Sequence, residues 1–162
     1  MKKSDYENVK EFTEESTGVK LPDKPETMDK EEVGFLTKMI ISELIEFCQT
    51  VTSSFDESCV MVQECLDEMK TRDKSKQPLL ETTCDVIDAQ MDAPVDIWYY
   101  SLNAFAKKGA DLSAYFKLVH EANMDKRDLE TGKFIIREED GKILKREGWK
   151  PADTLGLVKS WM

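Results

Sequence analysis

The sequence predicts an all-α fold: a helical bundle of four to five helices, closed by a small C-terminal β-hairpin. Three observations carry that expectation. Apolar residues recur at steps of three and four through most of the first 127 positions. Helix start signals stand ahead of those runs, Thr27 or Asp29 before one and Asp111 before another. The texture then changes at KFIIREEDGKILKR, two short alternating runs joined by Asp140-Gly141, which is a strong signal for a tight hairpin. At 162 residues the chain is expected to be one domain, 1–162, with an N-terminal arm at 1–28, a helical core at 29–128, and the hairpin and tail at 132–162.

Taken in order, residues 6–15 read as a short helix with Val9 and Phe12 spaced to cover something. Gly18, Pro22 and Pro25 then make a loop. A second helix runs from about Lys30 past Thr50, with Glu31 and Glu32 in its first turn, where the helix dipole favours them. A third covers 54–70, with Val60, Met61, Cys65, Leu66 and Met69 inward; it either continues the second or follows a kink near Ser53-Ser54. The stretch RDKSKQP is a polar connection. The fourth helix spans about 80–108, with Pro94 expected to kink it and Gly109 to end it. The fifth runs from Asp111 to about Arg127, with Leu112, Tyr115, Phe116 and Val119 inward. The tail WKPADTLGLVKSWM reads as irregular, held down by Trp149 and Trp161.

The formal charge of −10 and a pI near 4.7 argue against a nucleic-acid backbone or an anionic membrane as the main partner. The charge is uneven. Residues 43–96 hold thirteen acids against four bases, whereas 117–150 hold nine bases against eight acids. One part is suited to cations and the other to phosphate oxygens. Cys48, Cys59, Cys65 and Cys84 form no CxxC pair, and the lone His120 gives no zinc spacing. Reduced thiols are therefore expected, with Cys48 and Cys84 as packing residues and His120 as a surface or capping residue. The start MKKSDYENVK lacks an apolar signal region and no uncharged run approaches a membrane span, so a soluble, cytoplasmic protein is expected.

The chemical signal is concentrated in DVIDAQMDAPVDIWYYSLN. Asp85, Asp88, Asp92 and Asp96 recur at steps of three, four and four. At about 100° per residue they fall within roughly 80° of one another on a helix, and Asn103 extends the line. The rest of that helix is apolar, and no Lys or Arg lies between Asp85 and Asn103. Like charges at i,i+4 each cost about 0.2–0.5 kcal/mol. A same-sign stripe therefore calls for a positive neighbour, and a divalent cation such as Mg²⁺ is the economical one for carboxylate oxygens. The preceding helix adds Glu43 and Glu46, one turn apart in MIISELIEF, on the stripe of Leu36 and Met39 and away from the solvent face of Lys38, Ser42 and Gln49. Carboxylates so spaced can point at one metal or at two; the plainer alternative is a pair of glutamates snorkelling at the edge of a packed face. Trp98, Tyr99 and Tyr100 are core residues by spacing, or faces on which a planar group can stack.

Glu43-x-x-Glu46, the acids ending in Asp96-Ile-Trp-Tyr, then HEANMDKR and GKFIIREEDGKILKREGWKP together resemble the all-α nucleoside triphosphate pyrophosphohydrolases, in particular the MazG-like and phosphoribosyl-ATP-pyrophosphohydrolase-like branch. The similarity runs from about Val9 to Pro151. It implies a homodimer or homotetramer binding Mg²⁺, with Mn²⁺ as a substitute, and cleaving a nucleotide between its α- and β-phosphates. Glu43 and Glu46 match the first acidic motif and Asp96 the closing aspartate of the second, which gives them the catalytic roles. Asn103, Asn123 and Lys126 match substrate-facing polar positions, and Lys145, with Lys142, falls in the DGK-x-x-K edge that would meet phosphate. Ser42 stands where an additional glutamate is common. Ala93 stands where the second motif usually begins, so Asp92 would supply the fourth metal ligand. Two other readings fit the same residues: an acidic helical module docking a basic partner without turnover, and a hydrolase of the same fold acting on phosphoribosyl-ATP or a damaged nucleotide.

Overall fold

The computed structural model describes residues 3–71, 80–139 and 141–162. Among these it has six helices and no strand: α1 (Asp5–Thr17), α2 (Lys30–Cys48), α3 (Phe55–Lys70), α4 (Thr83–Ala106), α5 (Leu112–Met124) and α6 (Thr154–Ser160). The RDKSKQP connection lies outside the described residues. The chain forms two compact units, Pro25–Pro94 and a second made of Met1–Lys24 with Val95–Met162, and the division falls inside α4.

In the Pro25–Pro94 unit, Asp29 starts α2. Its carboxylate accepts from the Glu31 and Glu32 amides while Glu32 Oε2 accepts from the Asp29 amide, a reciprocal cap that satisfies donors the helix cannot. Helix α2 stops at Cys48 rather than running past Thr50. The Val51 and Thr52 amides both turn back onto the Cys48 carbonyl, and Ser54 opens α3 by accepting from the Glu57 amide. Helices α2 and α3 pack against each other across this turn. Ser58, fully buried, is its pin: its hydroxyl donates to the Ser54 carbonyl at 3.1 Å and lies 2.5 Å from the Thr52 hydroxyl. In the same unit the Gln90 side-chain amide exchanges two 2.9 Å hydrogen bonds with the backbone of Met28, fastening the start of α2 to α4.

In the other unit, α5 packs on α1 and on α6. Ser4 and Glu7 form a capping box at the start of α1, and Gly18, at φ 68°, closes its end. The core sits where Phe134 meets Phe12 edge-on at 5.3 Å, with the Arg127 guanidinium over the same ring and ion-paired to Glu15. Phe134 is the one buried apolar side chain among the described residues. His120 is half-buried and stacks on Phe116.

Three expectations are corrected. The hairpin reduces to one antiparallel bridge, Ile136 with Ile143, supported by Arg137 N–H to the Lys142 carbonyl and Leu144 N–H to the Ile135 carbonyl. Two short arms with no third strand beside them bury too little to extend the ladder. Asp140 of the expected turn lies outside the described residues, while Gly141 takes the positive φ of 70° that the reversal needs. The tail is not irregular, because Asp153 caps α6 by accepting from the Gly156 amide. Finally, much of the expected inward surface is exposed, including Val60, Met61, Leu66 and Met69 on α3 and Tyr115 and Val119 on α5. Cys84 is exposed as well, and all four cysteines are free.

Candidate active site

Glu43 and Glu46 stand on α2 one turn apart, where the backbone puts both carboxylates on one side of the helix. Both side chains are exposed, and among the described residues neither has an ion pair or a side-chain hydrogen bond. Asp88, Asp92 and Asp96 follow on α4, also exposed and, among the described residues, also without a cationic partner. Asp85 differs. Its Oδ2 accepts from the Thr82 amide at 2.7 Å and the Thr82 hydroxyl at 2.8 Å, while its own amide donates back to that hydroxyl. These bonds hold its carboxyl below the usual carboxylate range. The first member of the acidic stripe is therefore committed to the N-terminus of α4, which removes it as a free ligand.

The four ligands that the resemblance implies, Glu43, Glu46, Asp92 and Asp96, are hard oxygen donors, none of them ion-paired among the described residues, and such donors suit Mg²⁺ or Mn²⁺. Among the described residues no group of three or more His, Cys, Asp or Glu side chains is gathered as a metal site. What each helix supplies by itself is carboxylates one turn apart, Glu43 with Glu46 on α2 and Asp88, Asp92 and Asp96 in succession on α4. Trp98, Tyr99 and Tyr100, on α4 beyond Asp96, are exposed, the two tyrosines at 66%.

The basic residues come together more fully. Asn123 is in the last turn of α5 and Lys126 just beyond it; Lys126 Nζ donates to Asn123 Oδ1 at 2.7 Å. The 140s segment is tied to the same helix end by Arg146, whose guanidinium donates to both carboxylate oxygens of Asp125 and to its carbonyl. That tie brings Lys145 and Trp149 alongside Lys126. Burial, then the nearby Lys145 and Lys142, push the Lys126 ammonium below its ordinary range. Asn103 sits exposed on α4 and makes no side-chain hydrogen bond among the described residues.

Two features were not drawn from the sequence. The Thr82–Asp85 box is legible as T-x-x-D ahead of an apolar run, a spacing that marks a helix start. The Trp149 platform has no local signal, since it depends on a tie between positions 125 and 146.

No family model and no curated protein matches the chain. Its fold is shared with a solved structure described as a "putative NTP pyrophosphohydrolase" from Exiguobacterium sp. 255-15, with a TM-score of 0.78 and 25% identity over 98% of this chain and 95% of that one. At the level of fold, the likeness supports the all-α NTP pyrophosphohydrolase superfamily. Among the described residues no helix is long and apolar enough to cross a membrane.

Proposed function

We propose that this protein is a Mg²⁺-dependent nucleotide pyrophosphohydrolase, cleaving a nucleoside triphosphate or related nucleotide between the α- and β-phosphates to a monophosphate and pyrophosphate. The observation that carries the reading is Glu43 and Glu46, exposed one turn apart without a cationic partner among the described residues, on a fold shared with a protein described as a "putative NTP pyrophosphohydrolase". Glu43, Glu46, Asp92 and Asp96 would hold the ion, and Mn²⁺ can take the same oxygens. When bound, it offsets the charge of phosphate oxygens and acidifies a coordinated water.

The chain's own residues do the rest. A triphosphate and a protein of charge −10 repel, so the lysines at the end of α5 matter. The Lys126 and Lys145 ammonium groups and the side chain of Asn123 meet phosphate oxygens, and the Asn103 amide is a further donor from α4. A carboxylate oxygen of one of the two glutamates accepts the proton of the attacking water, whose oxygen bonds to the α-phosphorus as the bond to the bridging α–β oxygen breaks, leaving the monophosphate and releasing pyrophosphate. The ammonium groups stabilise the charge that builds on that leaving group. Tyr99 and Tyr100 offer faces on which a base can stack.

A second copy belongs to this reading, as a homodimer or homotetramer in the cytoplasm. Met91, Val95, Ile97 and Trp98 are among the apolar side chains left uncovered. The test is pyrophosphate release across a panel of nucleotides with Mg²⁺ and Mn²⁺. Release that needs the metal supports the reading; an acidic docking module would release none from any nucleotide, and that result would end it.

A further inference from the structure

Two ammonium groups share one indole at the end of α5. Lys126 Nζ lies 5.6 Å and Lys145 Nζ 4.5 Å from the centroid of the Trp149 ring. The ring is fixed, because its Nε1–H donates to the Ala122 carbonyl at 2.7 Å, one of the carbonyls that the end of α5 leaves without an intrahelical partner. The segment ahead of it is held by the Arg146–Asp125 pair. Among the described residues neither Lys126 nor Lys145 is ion-paired to a carboxylate.

An aromatic face attracts a cation through its quadrupole and carries no net charge of its own. An aspartate in the place of Trp149 would cancel one of the two ammonium charges; the indole gathers the lysines and leaves both charges available. Asn123 completes the arrangement by orienting Lys126 through its Oδ1. Two retained positive charges on a rigid support suit a compact anion with several oxygens, the chemistry of a phosphate or diphosphate. The proximity of Lys145 and Lys142, added to burial, already makes Lys126 give up its proton more readily, and an anion between them reverses that tendency.

We propose that Trp149 is a positioning residue whose indole holds Lys126 and Lys145 as a metal-independent cradle for the diphosphate group. The assignment rests on the pyrophosphohydrolase reading for the identity of the anion, and on the geometry alone for the cradle.

The experiment is calorimetric titration of the full chain with inorganic pyrophosphate in EDTA, for the wild type, Trp149→Phe and Trp149→Leu, with thermal unfolding followed in parallel. The wild type binds without metal. Phenylalanine keeps a weaker aromatic face but lacks the Nε1–H anchor, and it binds two- to fivefold less tightly. Leucine binds tenfold or more less tightly while unfolding cooperatively. Should leucine fail to fold, the order of wild type and phenylalanine decides. No binding in EDTA, phenylalanine equal to wild type, or a folded leucine variant equal to phenylalanine would each overturn the cradle. Binding in EDTA with no turnover of any nucleotide would leave the cradle standing and sink the hydrolase reading; turnover with no binding in EDTA would do the reverse.

Discussion

Replacing Asp96 with asparagine separates a metal ligand from a structural residue. Asp96 lies one turn beyond Asp92 on α4, and both carboxylates are exposed without a partner among the described residues. At that spacing two negative charges oppose the helix by about 0.2–0.5 kcal/mol. Asp and Asn have nearly equal helix propensity, so the substitution removes repulsion and little else. For a chain of this size about 1 kcal/mol moves Tm by roughly 2–4 °C, which sets the expected change in the metal-free protein at between zero and +2 °C or so. Turnover responds differently. Losing a partner of a metal ligand alone costs about 10–100-fold, and losing the ligand is expected to cost at least ~100-fold. The wild type gains about 2.7 kcal/mol from an ion present at a hundred times its Kd, and Asp96→Asn loses most of that gain. Scanning calorimetry with and without Mg²⁺, beside a pyrophosphate-release assay, reads all three quantities. A marked fall in Tm of the metal-free variant, with turnover intact, would show that Asp96 holds the fold rather than the ion.

The Ser58 pin and the Asp85 cap give independent checks. Ser58→Ala removes the buried hydroxyl that bonds the Ser54 carbonyl and the half-buried Thr52 hydroxyl, which keeps the Cys48 carbonyl as a partner, and lowers stability by about 0.5–1.5 kcal/mol in urea unfolding; an unchanged midpoint would mean the α2–α3 turn does not depend on it. Asp85→Asn weakens the start of α4 but leaves pyrophosphate release near the wild-type rate, whereas Glu46→Gln abolishes it; equal losses would make Asp85 a further ligand. The lowered pKa of Lys126 sets a pH dependence. A lysine depressed in the folded state loses its charge below its ordinary value near 10.5, so metal-free diphosphate affinity declines before that pH is reached. Lys145→Gln removes one of the repelling charges and shifts the decline upward, although burial, the larger cause, remains; a profile that does not move would show that Lys145 does not act on Lys126.

What the sequence made legible was local. Asp111 read as a cap, and Asp29 as one of two candidates beside Thr27, because a short side-chain oxygen ahead of an apolar period has one obvious use; Asp29 and Asp111 both serve it. The helix periods were likewise readable, since they require only neighbours three and four residues away. The burial assigned to those faces was not. Amphipathicity says which side of a helix seeks cover but not what supplies it, and Val60, Leu66, Met91 and Val95 remain exposed in the single chain. The hairpin signal at 140–141 was read from turn chemistry, which specifies a reversal; strand length depends on a packed face that the arms do not find. In the candidate site, spacing put Glu43 beside Glu46 but could not separate Asp85, taken by Thr82, from the carboxylates that stay free. Asn123 and Lys126 were visible as a polar pair, while the lysine–indole arrangement is set by the tie from Arg146 to Asp125, twenty-one residues away.

The central claim is that carboxylates of α2 and α4 serve a metal-dependent cleavage between the α- and β-phosphates. Phosphorus NMR of a turned-over nucleotide tests it most directly, run with wild type and Glu46→Gln in Mg²⁺ and in EDTA. Nucleoside monophosphate and pyrophosphate in equal amounts, from the wild type in Mg²⁺ and from no other sample, is the result expected. Orthophosphate with a nucleoside diphosphate, or undiminished turnover by Glu46→Gln, would contradict it.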